Sequence, residues 1–75
     1  MSEGEATIYV NLLDEDVGVS RPVSATLIGP MIYRLSGPVP DGETWEFQPG
    51  ELVLCEERWS GDEQIILAVS AFGLR

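Results

Sequence analysis

The sequence predicts an all-β fold: a small antiparallel barrel, partly closed, of five to six strands. Three observations point there. Apolar residues recur at every second position over short runs, which is the period of a strand with one buried face. The runs are cut by Gly, Pro, Asp and Ser in short connections, the punctuation of an all-β chain. No segment of ten or more residues carries helical periodicity.

The elements follow in order. Residues 1–5 are expected to be a flexible tail, with one small domain over residues 6–75. Ile8, Val10 and Leu12 alternate with Thr7, Tyr9 and Asn11, a first strand with its aliphatic set inward. Asp14-Glu15-Asp16 opens a polar loop that ends near Gly18. Pro22 lacks an amide donor and belongs at the start of the second strand or on an edge. Val23, Ala25 and Leu27 form that strand's inner face, and Gly29-Pro30 marks a turn. Met31 to Leu35 is a short third strand with Tyr33 and Leu35 inward.

Ser36 to Gly42 carries two prolines, two glycines and an Asp-Gly pair, and is read as the longest loop. Trp45 and Phe47, two apart, share one face of an extended segment and are assigned to a fourth strand. Pro49 presets φ for the second position of a tight turn, and Gly50 accepts the positive φ of a type II turn. The fifth strand runs from Leu52 to about Trp59. Ser60-Gly61-Asp62-Glu63 makes a hairpin into a last strand from Gln64 to about Ala71, apolar on both faces and therefore well covered. A core this small cannot serve two sheets, and closure removes the edges that invite aggregation. Among small barrels the SH3-like form fits best, with a long polar loop after the first strand and tight turns later.

Composition narrows the function. The chain has 75 residues, thirteen acidic side chains, four arginines, no lysine and no histidine, for a net charge of −9. Nucleic-acid binders draw their non-specific affinity from Lys and Arg on phosphates. Direct binding to nucleic acid or to an anionic membrane is therefore not expected, and no apolar run is long enough to span a bilayer. An acidic surface suits a basic protein partner through electrostatic steering, or keeps a small domain soluble. The acidic start at Met1-Ser2-Glu3-Gly4-Glu5 is unlike a secretory signal, and one cysteine makes no internal disulfide, so a cytoplasmic protein is expected.

Catalysis finds little material. Histidine, the usual acid–base group near neutral pH, is absent. Cys55 has no histidine to activate it, and neighbouring carboxylates raise a thiol's pKa, so it reads as a buried structural residue. No zinc ligand set exists. Asp14-Glu15-Asp16-Val17-Gly18 starts like a calcium loop, but Val19 and Ala25 stand where that loop needs Gly and Glu. No enzyme activity, cofactor or metal is expected.

Candidate partner-binding residues are Tyr9, Asp14, Glu15, Asp16 and Trp59. Tyr9 should point outward from the first strand and Trp59 should sit near the last hairpin's tip, while Tyr33, Trp45 and Phe47 serve the core. Arg21 lies close enough to the acidic loop for its guanidinium to pin Asp14 or Glu15.

Four segments carry a resemblance: Leu12-Leu13-Asp14-Glu15, Arg21-Pro22-Val23-Ser24-Ala25, Trp45-Glu46-Phe47-Gln48-Pro49-Gly50, and Val53 with Cys55-Glu56-Glu57. Together they resemble a group of small, functionally uncharacterised bacterial proteins, with Ser20 in place of an aromatic before the Arg-Pro pair. The resemblance implies a bacterial, single-domain, cytoplasmic β protein and no substrate. The leading expectation is a protein-interaction module, monomeric or weakly dimeric, that grips a basic protein. The alternative is an acidic inhibitor or immunity-type protein that occludes a basic, nucleic-acid-binding enzyme. A third expectation is a subunit that completes an assembly by pairing an edge strand.

Overall fold

The computed structural model describes residues 4–13 and 19–72. Five strands follow one another: β1 (Glu5–Asn11), β2 (Ser20–Gly29), β3 (Ile32–Leu35), β4 (Leu52–Ser60) and β5 (Glu63–Ala71). They pair in chain order and close into a barrel. Each neighbouring pair is antiparallel, so an odd number of strands leaves the first and last pointing the same way. The seam is accordingly parallel, made where Tyr9 of β1 meets Leu67 of β5. This is an all-β barrel consistent with the SH3-like class.

Alternation along the strands builds the core. Ile8, Val10 and Val53 are fully buried, and Val23, Ala25, Tyr33, Leu35, Cys55 and Ala68 complete the barrel's lining. Each fully buried aliphatic side chain stabilises the fold by roughly 1.5–3 kcal/mol relative to exposure. On β5 the inner face is Ala68 with Ile66, and Ile65, Leu67 and Val69 on the other positions are half-buried, so both faces are covered. Two β-bulges bend the sheet, one between Leu27 and Gly29 and one between Leu54 and Cys55. A bulge adds local twist, which a five-stranded sheet needs in order to curl shut.

Trp45 and Phe47 are in the core, at 3% and 8% exposure, but not on a strand. The segment makes a single bridge, Leu12 to Trp45, fixed by Leu13 N–H to Thr44 O (2.8 Å) and Glu46 N–H to Asn11 O (3.0 Å). The fourth strand expected there is thus replaced by a loop that plugs the barrel with two aromatics. The plug's return is anchored at Leu35, whose N–H reaches Glu51 O (3.0 Å) and whose carbonyl accepts Gly50 N–H (2.8 Å). Gly50 has φ +92°, and Glu51 N–H closes on Gln48 O at 3.1 Å, as the type II turn requires.

Three further expectations are corrected. Leu27 has the inward parity of Ala25, yet it is 46% exposed, because it lies at the barrel's rim beside the bulge. Met31 belongs to the β2–β3 turn, not to the third strand, and sits at φ +56° after Pro30. Its carbonyl accepts the Cys55 N–H at 2.8 Å, which ties the turn to β4. Glu5 pairs with Thr26 inside β1, and the Gly4 carbonyl accepts Leu27 N–H at 2.6 Å, so ordered pairing starts within the expected tail.

Candidate partner-binding surface

The β4–β5 hairpin is the longest ladder, ending in the rung Ser60–Glu63. Only Gly61 and Asp62 lie between these residues, and Gly61 takes φ +66°. Positive φ at the first of two loop residues matches the twist of the flanking strands, so the hairpin continues straight to its tip. Near that tip stands Trp59, 69% exposed. The other large aromatics of the barrel interior, Tyr33, Trp45 and Phe47, are all buried.

Trp59 lines a surface depression of about 450 Å³ with Asn11, Ser20, Arg58, Ile65 and Leu67. Asn11 and Ser20 form the last rung of the β1–β2 ladder. Beyond it the chain enters residues 14–18, and the entry is held by Leu12 N–H to Val19 O at 3.0 Å. Tyr9 is half-buried on β1, in register with Pro22 and with Leu67. Leu67 therefore connects the two expected aromatics: it meets Tyr9 across the seam and shares the depression with Trp59. Asp14, Glu15 and Asp16 lie outside the described residues.

Four residues of this surface escape a reading of the sequence. Ile65 and Leu67 look like core, since they alternate within an apolar strand. Leu13 and Val19, 59% and 38% exposed, flank the loop base. Their signal is legible afterwards: each breaks the alternation next to a polar loop.

Charges on the hairpin are arranged in pairs. Arg58 Nη2 donates to Glu56 Oε1 at 2.7 Å, and its Nε reaches the same oxygen at 3.2 Å. Gln64 Nε2 donates to Glu57 Oε1 at 3.1 Å. With Asp62 and Glu63 at the tip, the outer half of the hairpin carries four carboxylates against one guanidinium.

The expected pairing of Arg21 with Asp14 or Glu15 falls on residues outside the described ones. Among the described residues its partner is Glu43, with Nη1 to Oε2 at 3.2 Å, because the plug loop folds back over β2. Glu43 also accepts Trp45 Nε1 at 3.0 Å on its other oxygen. A smaller depression of about 200 Å³ beside this cluster is walled by Arg21, Pro22, Pro38, Pro40 and Trp45. Cys55 is buried, and burial pushes its thiol from 9.0 up to about 11. A thiol so placed is protonated at neutral pH and out of reach of substrates.

No group of three or more His, Cys, Asp or Glu suited to a metal ion occurs among the described residues, and no helix there is long and apolar enough to cross a membrane. No family model, no curated protein and no solved structure matches the chain.

Proposed function

We propose that this protein is a non-catalytic interaction module that binds a basic partner protein through the surface around Trp59 and the acidic loop at Asp14, Glu15 and Asp16. The observation that carries the reading is Trp59, left 69% exposed in a barrel that buries its other tryptophan. Exposing an indole forfeits its burial free energy, and rigid aromatics are the side chains that most often anchor interfaces. The half-buried Ile65 and Leu67 beside it supply apolar area, and the hairpin carboxylates supply a field that favours cationic partners. The absence of histidine and the protonated, buried Cys55 support the non-catalytic part.

The test is affinity capture from the native host, with Trp59→Ala and the double reversal Asp14→Lys, Glu15→Lys as paired baits. Loss of the captured protein with each bait, and release by salt, is the expected result. Capture that is indifferent to both baits and to salt contradicts the proposal.

A second reading is an acidic inhibitor of a basic, nucleic-acid-binding enzyme, supported by the four carboxylates gathered on the hairpin's outer half. It requires that nucleic acid compete with this protein for the partner. Simultaneous binding of both to one partner eliminates it.

A further inference from the structure

Among the described residues, the hydrogen-bonding of the closed barrel leaves the outer half of β4 open on one side. β3 covers β4 only from Leu52 to Leu54, and Cys55 N–H then bonds Met31 O at 2.8 Å. From Glu56 to Ser60, β4 pairs with β5 on one side and, among the described residues, with nothing on the other. The register says which groups are open. A two-residue hairpin loop makes Ser60–Glu63 a hydrogen-bonded rung, so Glu56, Arg58 and Ser60 direct their backbone groups to β5. Glu57 and Trp59 direct theirs outward, the same parity as Cys55, whose N–H leaves β4 toward Met31. The exposed edge is about 17 Å long at the usual strand rise.

A second copy of this chain is a poor occupant. Antiparallel self-pairing about a two-fold axis centred on Glu57 sets glutamate against glutamate, and centred on Arg58 it sets arginine against arginine. Centred on Trp59 it runs into the Gly61 turn after one further rung. Charge complementarity points elsewhere: Glu56, Glu57, Asp62 and Glu63 surround the edge, and Arg58, the one cation on this hairpin, is already engaged by Glu56 at 2.7 Å.

We propose that the open edge of β4 at Glu57 and Trp59 accepts an extended, basic segment of the partner protein as an added strand, with a cationic side chain opposite Glu57 and another over the Trp59 ring. The inference rests on the interaction-module reading and specifies how the partner is held. Main-chain hydrogen bonds to Glu57 and Trp59 supply affinity, and the alternating side chains supply selectivity. The Trp59 face attracts a cation at close range.

The experiment uses the full chain and a short peptide alternating lysine with valine, with an alternating glutamate–valine peptide as control. Amide hydrogen exchange is followed residue by residue. The lysine peptide is expected to slow exchange at Glu57 and Trp59 and to leave Arg58, already bonded to β5, unchanged. Glu57→Pro removes one outward N–H, a change that edge strands tolerate. It is expected to weaken peptide binding about tenfold, and Glu57→Gln, which keeps the amide, about threefold and only at low salt. Wild-type binding without protection at Glu57 and Trp59, equal binding of the glutamate peptide, or dimerisation through this edge each overturns the proposal. Partner capture that is lost with Trp59→Ala but unaffected by Glu57→Pro removes strand addition and leaves the interaction module standing. Failure to capture any partner, by contrast, removes the module itself.

Discussion

Glu43 accepts the indole N–H of Trp45 at 3.0 Å, and this bond decides how the barrel is plugged. Trp45 is 3% exposed, and Glu43 is the acceptor for its indole N–H. The second carboxylate oxygen holds Arg21 at 3.2 Å, which ties the plug loop to β2. Glu43→Ala is expected to cost about 1–3 kcal/mol, because it strands a buried donor. Glu43→Gln keeps an acceptor and should cost about 1 kcal/mol, while Arg21→Ala, at a half-exposed pair, should cost less than ~1 kcal/mol. Urea unfolding of the three variants checks the order, and equal midpoints for Ala and Gln would remove the indole bond as the cause.

The Pro49-Gly50 turn offers a test of backbone strain free of packing. A Cβ added at Gly50 meets nothing within 4 Å, yet φ is +92°. Gly50→Ala should therefore destabilise by about 1 kcal/mol through conformation alone. Gly29 has no positive φ, and its added Cβ would meet only Ile32 Cδ1 at 3.7 Å, an ordinary contact. Gly29→Ala should stay within about 0.5 kcal/mol of the parent. Thermal melts of the pair discriminate these outcomes.

Burial at the rim and in the centre should separate cleanly. Ile8 is fully buried, whereas Leu27 is 46% exposed despite its inward parity. Ile8→Val is expected to cost about 1 kcal/mol and Ile8→Ala about 2–5 kcal/mol. Leu27→Ala should cost less than about 1 kcal/mol. A domain this small has a narrow stability margin, so Ile8→Ala is expected to be substantially unfolded at ambient temperature, as circular dichroism would report.

Cys55 links stability to alkaline pH. Its folded-state pKa is raised from 9.0 to about 11, because burial disfavours the thiolate. Unfolded chains ionise first, so the stabilisation is complete below pH 9 and is lost as pH rises toward about 11. The expected fall is up to about 1.4 kcal/mol per pH unit in that window. Cys55→Ala should be less stable at neutral pH but should lack this contribution to the slope. Native Cys55 should also react with thiol reagents only at the rate of unfolding.

Local chemistry in the chain determined a good deal. Period-two patterning placed Ile8, Val10, Val23, Ala25, Tyr33, Leu35, Val53 and Cys55 on inner faces, because strand side chains alternate whatever their neighbours. Pro49-Gly50 and Gly61-Asp62 specified their turns, since φ preferences belong to single residues. What needed the tertiary structure was everything set by closure. Trp45 and Phe47 show the limit: two apart in an extended segment, they read as a strand, but the segment makes an isolated bridge to Leu12 and packs both aromatics into the core. Leu27 has the right parity and the wrong height in the barrel, and alternation carries no information about height. Arg21 meets Glu43, 22 residues further on, because the plug loop folds back over β2. The open edge of β4 is likewise a property of where β3 stops, because an unpaired backbone leaves no mark on the side chains that cover it.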